Sequence, residues 1–152
     1  MRGYFGIGIW YPQKECNLGT LFRSAYAFGA NFIFTIGRKY KTQSSDTCKS
    51  YKNIPCFNFL DLKDFQKHMP KDCRLVCVEI DEQAKEIKNF IHPDRAIYLL
   101  GSEGGGLPKD LLKTNLTVKI NSNICLNLSV AGSIVLYDRT NKNWYYLDSM
   151  IV

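Results

Sequence analysis

The sequence predicts an α/β fold, a mostly parallel sheet with helices on both faces. Two observations support this prediction: apolar runs alternate with stretches of helical spacing along the chain, and the apolar run 96–100 ends in a glycine-rich turn at 101–106. Ligands bind beyond the carboxyl ends of parallel strands, so this turn is the first place to expect a site. Its glycine spacing fits neither a phosphate-binding loop nor a dinucleotide fingerprint.

The first elements follow from local patterns. Residues 4–10 (YFGIGIW) predict a strand, and the apolar run 32–36 predicts a second one. Between them, apolar residues at helical spacing predict a helix over 18–28. Asn17 is its expected N-cap, and Gly29 stands where a helix commonly ends.

A polar segment over 38–52 follows, rich in lysine and containing Tyr40 and Tyr51. Basic residues interleaved with aromatic ones can bind phosphates and stack on unpaired bases. The same composition is also typical of a solvated surface loop, and the sequence leaves both interpretations open.

The rest of the chain continues the alternation. It predicts strands over 74–80, 96–100 and 116–120, and helices over 61–68, 84–90 (capped by Asp81), 108–113 and, after the polar stretch 121–127, through Tyr137.

Composition limits the partners, the location and the metal sites that we expect. A net charge of +6 favours a polyanionic partner. We expect no membrane partner and a cytoplasmic location, since there is neither a signal peptide nor a long apolar span. The six cysteines form no C-x-x-C pair and only two histidines are present, so no metal site is expected. Cys73, Cys77 and Cys125 lie in apolar runs and predict buried free thiols.

Three segments together resemble the SpoU (TrmH) family of RNA ribose 2′-O-methyltransferases in the SPOUT superfamily. Residues 17–30 (NLGTLFRSAYAFGA) are similar to its first motif, 100–108 (LGSEGGGLP) to its G-x-E-x-x-G-L turn, and 125–132 (CLNLSVAG) to its S-L-N-V-S-V-A block. The resemblance implies a single SPOUT methyltransferase domain over 1–152 with a C-terminal trefoil knot. It also implies S-adenosylmethionine as cofactor, RNA (tRNA or rRNA) as substrate, and a homodimer with its active site at the subunit interface. Residues 144–146 are a candidate part of that interface.

The resemblance also assigns site residues. It implies catalytic or substrate-positioning roles for Arg23, Asn17, Glu103, Asn127 and Cys125, and cofactor contacts for Val78, Gly101, Ile120, Cys125 and Leu126. A guanidinium is not deprotonated in proteins, so Arg23 is better suited to stabilise a developing alkoxide and hold a phosphate than to act as a base. Glu79 is interpreted as an ordinary carboxylate at a strand end.

Two departures from the family pattern keep an alternative open. Cys125 stands where the family usually has serine, and the stretch 121–124 is short, with Asn121 where proline is common. The alternative is a catalytically inactive RNA-binding protein that retains the fold. A flavodoxin-like domain for another small ligand would rest on fold class alone.

Overall fold

A computed structural model describes residues 3–41 and 43–149, with side chains as far as Lys142. Its strands form one seven-stranded sheet in the order β3-β2-β1-β6-β4-β7-β5, and every neighbouring pair is parallel. The strands are β1 (Tyr4–Trp10), β2 (Phe32–Ile36), β3 (Cys56–Phe59), β4 (Arg74–Val78), β5 (Lys85–Glu86), β6 (Arg95–Leu100) and β7 (Leu116–Lys119).

Helices cover both faces of the sheet, which confirms the predicted fold class. They are α1 (Glu15–Ala27), α2 (Ser50–Asn53), α3 (Leu62–His68), α4 (Lys109–Thr114) and α5 (Leu128–Ser149). Helices α1 and α5 contribute to one apolar core, and α3 and α4 contribute to the other. None of the described helices is long and apolar enough to cross a membrane.

The central strand β6 shows why both faces are covered. Ala96, Tyr98 and Leu100 belong to the core beneath α1 and α5, whereas Ile97 and Leu99 belong to the core beneath α3 and α4. Side chains alternate between the two faces of a strand, so an uninterrupted apolar run requires an apolar layer on each side. The buried run of β6 therefore fixes a three-layer arrangement.

Helix α1 confirms one predicted end and corrects the other. Gly29 has φ +79°. Its N–H donates to the Tyr26 carbonyl while the Ala30 N–H donates to the Ala25 carbonyl, the paired bonds of a Schellman ending. The prediction of Asn17 as N-cap was wrong, because the helix begins at Glu15 and Asn17 lies in its first turn.

The predicted helix over 84–90 was also wrong. The Asp81 side chain accepts the Gln83 N–H in a tight turn, and the chain then forms β5 and a short 3-10 helix (Ile87–Asn89). Lys85 and Glu86 pair with Val118 and Lys119 of β7. An open sheet edge beside β7 therefore outweighs the weak helical spacing in this stretch.

The start of α5 agrees with expectation, whereas its length does not. Asn127 caps α5, its Oδ1 accepting the N–H groups of Ser129 (2.9 Å) and Val130 (3.3 Å). The helix continues past the predicted end at Tyr137 to Ser149. The side chains of 144–146, the candidate interface, lie outside the described residues.

Candidate active site

A pocket of about 480 Å³ opens at the carboxyl ends of β4, β6 and β7. Val78, Leu100 and Val118, near the ends of these three strands, form its floor. The turn 101–106 and the stretch 120–128 form its walls. The parallel sheet therefore presents its ligand-binding edge where the glycine-rich turn predicted it.

The Glu103 carboxylate lies at the mouth of the pocket and accepts three hydrogen bonds. It accepts the backbone N–H groups of Gln13 (2.8 Å) and Lys14 (3.0 Å), and the Asn17 side-chain amide (2.9 Å). Partial burial opposes ionisation of this carboxylate, but the N–H donors outweigh that effect and lower the pKa of Glu103. The turn is therefore tied to the start of α1 by a charged acceptor.

Asn17 extends this connection to the third motif. While its amide donates to Glu103, its Oδ1 accepts the Asn127 side-chain amide at 3.1 Å. The Asn17 side chain is polar but buried, so these two hydrogen bonds satisfy it within the protein. One chain of hydrogen bonds thus joins residues 17, 103 and 127, which are predicted as site residues from three separate segments.

Glu79 has a defined structural role that its sequence position did not reveal. One of its carboxylate oxygens accepts the Leu107 N–H at 3.1 Å, and the other accepts the Ile80 N–H at 3.1 Å. A Cβ placed on Gly106, whose φ is +64°, would lie 2.7 Å from the Glu79 carboxylate. Glu79 therefore holds the far end of the turn from inside the pocket, and only glycine fits beside it.

The predicted cofactor residues all line the pocket: Val78, Gly101, Ile120, Cys125 and Leu126. The prediction of a buried Cys125 was wrong, because its side chain is exposed on the pocket wall, whereas Cys73 and Cys77 are buried as expected. The loop before α5, not a strand, carries Cys125, so its apolar neighbours did not indicate burial.

Arg23 is the one predicted site residue that does not line this pocket. It is exposed on α1, and it forms no hydrogen bond or ion pair within residues 3–41 and 43–142. Its guanidinium is therefore available to a partner outside the pocket of its own chain.

Residues 5–137, most of the chain, match the model of the SpoU rRNA Methylase family. The chain belongs to the SpoU family. The match includes all three segments that meet at Glu103, and it agrees with the family that the sequence motifs resemble. Comparison with the curated proteins gives no significant match.

Solved structures share the fold of this SpoU chain. One, described as giving structural insights into the 2-OH methylation of C/U34 on tRNA, has a TM-score of 0.78 at 18% identity and covers 91% of this chain and 95% of that one. AviRb, a SpoU methyltransferase from Streptomyces viridochromogenes in complex with AdoMet, has a TM-score of 0.80 at 21% identity, over 94% and 62%. The A. aeolicus TrmH/SpoU tRNA modifying enzyme has a TM-score of 0.80 at 16% identity, over 93% and 76%. The chain thus spans somewhat less than two thirds of AviRb.

Proposed function

We propose that this SpoU chain is an S-adenosylmethionine-dependent ribose 2′-O-methyltransferase that acts on tRNA or rRNA. The observation that carries the proposal is the hydrogen-bonded chain Glu103–Asn17–Asn127 at the mouth of the pocket. This hydrogen-bonded chain joins the three family motifs. It also places the polar side chains of residues 17, 103 and 127 beside a cavity large enough for a ligand. The similar protein described with 2-OH methylation of tRNA supports tRNA as the first substrate class to test.

The residues present fit the cofactor. A volume of about 480 Å³ suits a nucleoside-sized ligand. Val78, Ile120 and Leu126 offer an apolar slot for adenine. The backbone of Gly101 also lines the pocket, and a Cβ there would meet the Gly106 backbone at 2.6 Å. When bound, S-adenosylmethionine supplies an electrophilic methyl group. The AdoMet complex of the similar AviRb supports this assignment.

The chain's own residues supply position and charge. Asn17 and Asn127 hold the pocket mouth rigid, so that a ribose hydroxyl meets a fixed geometry, and positioning of this kind provides much of the acceleration of a two-substrate reaction. Arg23 stabilises the negative charge that develops on the ribose oxygen and binds the neighbouring phosphate through two of its guanidinium N–H donors. Cys125, on the pocket wall, takes the place of serine as a weaker donor to substrate.

The proposal includes a homodimer in which Arg23 of one subunit serves the pocket of the other. Its exposure and its position away from its own pocket support this arrangement. A C-terminal trefoil knot and a cytoplasmic location complete the proposal. The knot follows from the family, and the free thiols fit a reducing compartment.

Two measurements test the function. First, S-adenosylmethionine and S-adenosylhomocysteine should raise the melting temperature, because a ligand that binds only the native state stabilises it by mass action. Second, nucleoside mass spectrometry of RNA from cells with and without the protein should show one 2′-O-methylated nucleoside lost in its absence. A protein that binds RNA but neither cofactor would instead be the inactive RNA-binding form.

A further inference from the structure

Residues 38–53, between β2 and β3, are the most basic part of the chain and are called the basic segment here. They contain five basic side chains and one acidic side chain, a net charge of +4, whereas the chain as a whole carries +6. About a tenth of the protein therefore holds most of its excess positive charge. Such a local concentration is typical of a surface that meets a polyanion.

The single acidic residue of the basic segment does not weaken its outward charge. Asp46 is only 3% exposed, and its carboxylate accepts the Ser50 hydroxyl at 2.6 Å and the Ser50 N–H at 3.0 Å. By contrast, the lysines are exposed: Lys39, Lys41, Lys49 and Lys52. The segment turns its negative charge inward and its positive charges toward solvent.

Hydrogen bonds attach the basic segment to the mouth of the pocket. The Arg38 guanidinium donates to the carbonyls of Pro12 (3.1 Å) and Gln13 (3.0 Å). The N–H groups of Gln13 and Lys14 in turn hold Glu103. The start of the basic segment therefore lies beside the residues that hold Glu103 at the pocket mouth.

The basic segment also lies against the face of α1 that carries Arg23. Gly19 packs against Ser45 and Gln43, with no room for a side chain between them. Arg23 follows one helical turn later, and residues four apart share a helix face. The exposed lysines and Arg23 thus belong to neighbouring surfaces.

Tyr40, near the start of the basic segment, is half-buried and packs against α1. The Tyr40 ring packs on Phe22 with centroids 5.1 Å apart, its hydroxyl donates to Asp46, and burial raises its pKa to about 12. Phe22 therefore occupies one side of the Tyr40 ring, and Tyr51 packs on Tyr40 with centroids 6.0 Å apart, so both rings of the segment already have aromatic partners within the protein. The four lysines are exposed large side chains of the segment, and their charge recognises phosphates rather than base identity.

We propose that the basic segment binds the phosphate backbone of the RNA substrate and guides it to Arg23 and the pocket, independently of base sequence. The inference rests on the proposed function, because it assigns a surface to the RNA of that same reaction. In this proposal the lysines of the segment supply the affinity for RNA, whereas the pocket carries out the methyl transfer. The existing ion pairs do not compete strongly, since those of Arg38 and Lys41 with Glu15 are 3.4 and 3.9 Å long and exposed.

The test compares two triple variants of the full chain with equal charge change. The first replaces Lys39, Lys41 and Lys52 by Gln and leaves Arg38 in place, because Arg38 supports the Glu103 site. The control replaces Lys63, Lys67 and Lys71 by Gln, all exposed and in or next to α3 on the opposite face of the sheet. Fluorescence anisotropy measures binding to unfractionated tRNA and to a labelled single-stranded RNA oligonucleotide over a series of salt concentrations.

We expect the basic-segment variant to bind both RNAs about tenfold or more weakly, and the slope of log affinity against log salt to fall by about 2, as for three lost phosphate contacts. The KM for RNA should rise, while kcat and S-adenosylmethionine binding stay unchanged. The control variant should bind RNA nearly as the parent does.

Equal losses of RNA affinity in the two variants, or no loss in either, would overturn the proposal that the basic segment is the RNA surface. An effect on one RNA sequence alone would contradict backbone recognition, and tighter binding to an acidic protein than to RNA would replace RNA as the partner. Failure of the parent to methylate RNA would instead contradict the proposed function.

Discussion

At the scale of single residues, Glu103 controls the geometry of the pocket mouth, since three N–H donors converge on it. Glu103→Gln removes the charge and turns one amide N–H toward those donors. We expect the free energy of unfolding to fall by about 1 kcal/mol at neutral pH, the usual net value of such bonds at a partly exposed site. Urea unfolding measures it, with the exposed Glu82→Gln as the matched control.

The pH dependence of that loss provides a second criterion. The folded structure lowers the pKa of Glu103 below 4.5, so its stabilisation is complete above that pH and disappears as the pH falls through the lowered value. The difference between parent and Glu103→Gln should therefore shrink in acid. A difference that is the same at pH values above and below this range would show that the charge of Glu103 contributes nothing.

Arg23 is the residue whose substitution should affect chemistry and spare the fold, because its side chain is exposed. We expect Arg23→Ala to reduce the methyl transfer rate about 100-fold or more, the usual cost of removing one preorganised donor to a developing oxyanion. Arg23→Lys should recover little, because lysine lacks the planar pair of donors. Radioactive methyl transfer gives the rate and thermal shift gives the cofactor affinity. Arg74→Ala, which removes an exposed arginine at the opposite end of the strands, serves as control. Normal transfer by Arg23→Ala would show that its assigned role is wrong.

The sequence indicated which residues belong to the site, but it did not indicate the hydrogen bonds between them. Asn17 and Glu103 are predicted as site residues, but their mutual bond joins positions 86 residues apart and depends on the register of β1 against β6. Glu79 was interpreted as an ordinary carboxylate because its partner, the Leu107 N–H, is a backbone group with no sequence signature. Local patterns carry no information on such nonlocal bonds.

At the scale of elements, prediction succeeded where the local pattern was clear. Strands β1 and β2 and helix α3 agree with the sequence to within one residue. The edge strands β3 and β5 escaped prediction because they are four and two residues long and are defined by pairing with β2 and β7. Short edge strands owe their conformation to a neighbour that sequence alone does not place.

Helix α5 is anchored to the sheet by a buried polar network. The neutral His92 ring fits its partners, with one nitrogen donating to Asp138 (2.8 Å) and the other accepting the Tyr98 hydroxyl (2.6 Å). Arg139, fully buried, donates to the same Tyr98 oxygen (3.0 Å) and to the Asp94 carbonyl (2.9 Å). Because Leu128 and Ala131 at the start of α5 line the pocket, this network positions a helix that forms part of the site.

This network predicts a loss of stability in mild acid. Burial lowers the pKa of His92 from 6.5 to about 4, although Asp138 partly opposes the shift. The neutral ring is therefore favoured by folding, and its stabilisation is complete above pH 6.5 and lost as the pH falls toward 4, about 3 kcal/mol in all. Urea unfolding at a series of pH values measures this slope, which should be shallower in His92→Gln and unchanged in the exposed His68→Gln. The NMR titration of His92 in the parent gives its pKa directly, and a value near 6.5 would contradict the prediction.

At the scale of the whole molecule, the three family motifs come together only through the fold. Residues 17, 103 and 127 lie at the start of α1, in the turn after β6 and at the cap of α5, and the parallel sheet brings these three places to one edge. The same edge leaves Arg23 outside its own pocket. A complete active site within the proposed mechanism therefore requires a second copy of the chain.

Complementation between two inactive variants tests this requirement. Arg23→Ala retains an intact pocket, and Leu126→Asp places a charge in the adenine slot while retaining Arg23. If Arg23 serves the partner's pocket, a mixed dimer holds one complete site. Refolding the two variants together in equal amounts should restore about a quarter of the parent activity, since half of the dimers are mixed and each has one working site of two. Light scattering should give the mass of a dimer for the parent and for both variants. If Arg23 instead served its own pocket, the mixture would stay as inactive as either variant alone, because each chain would lack one part of its site.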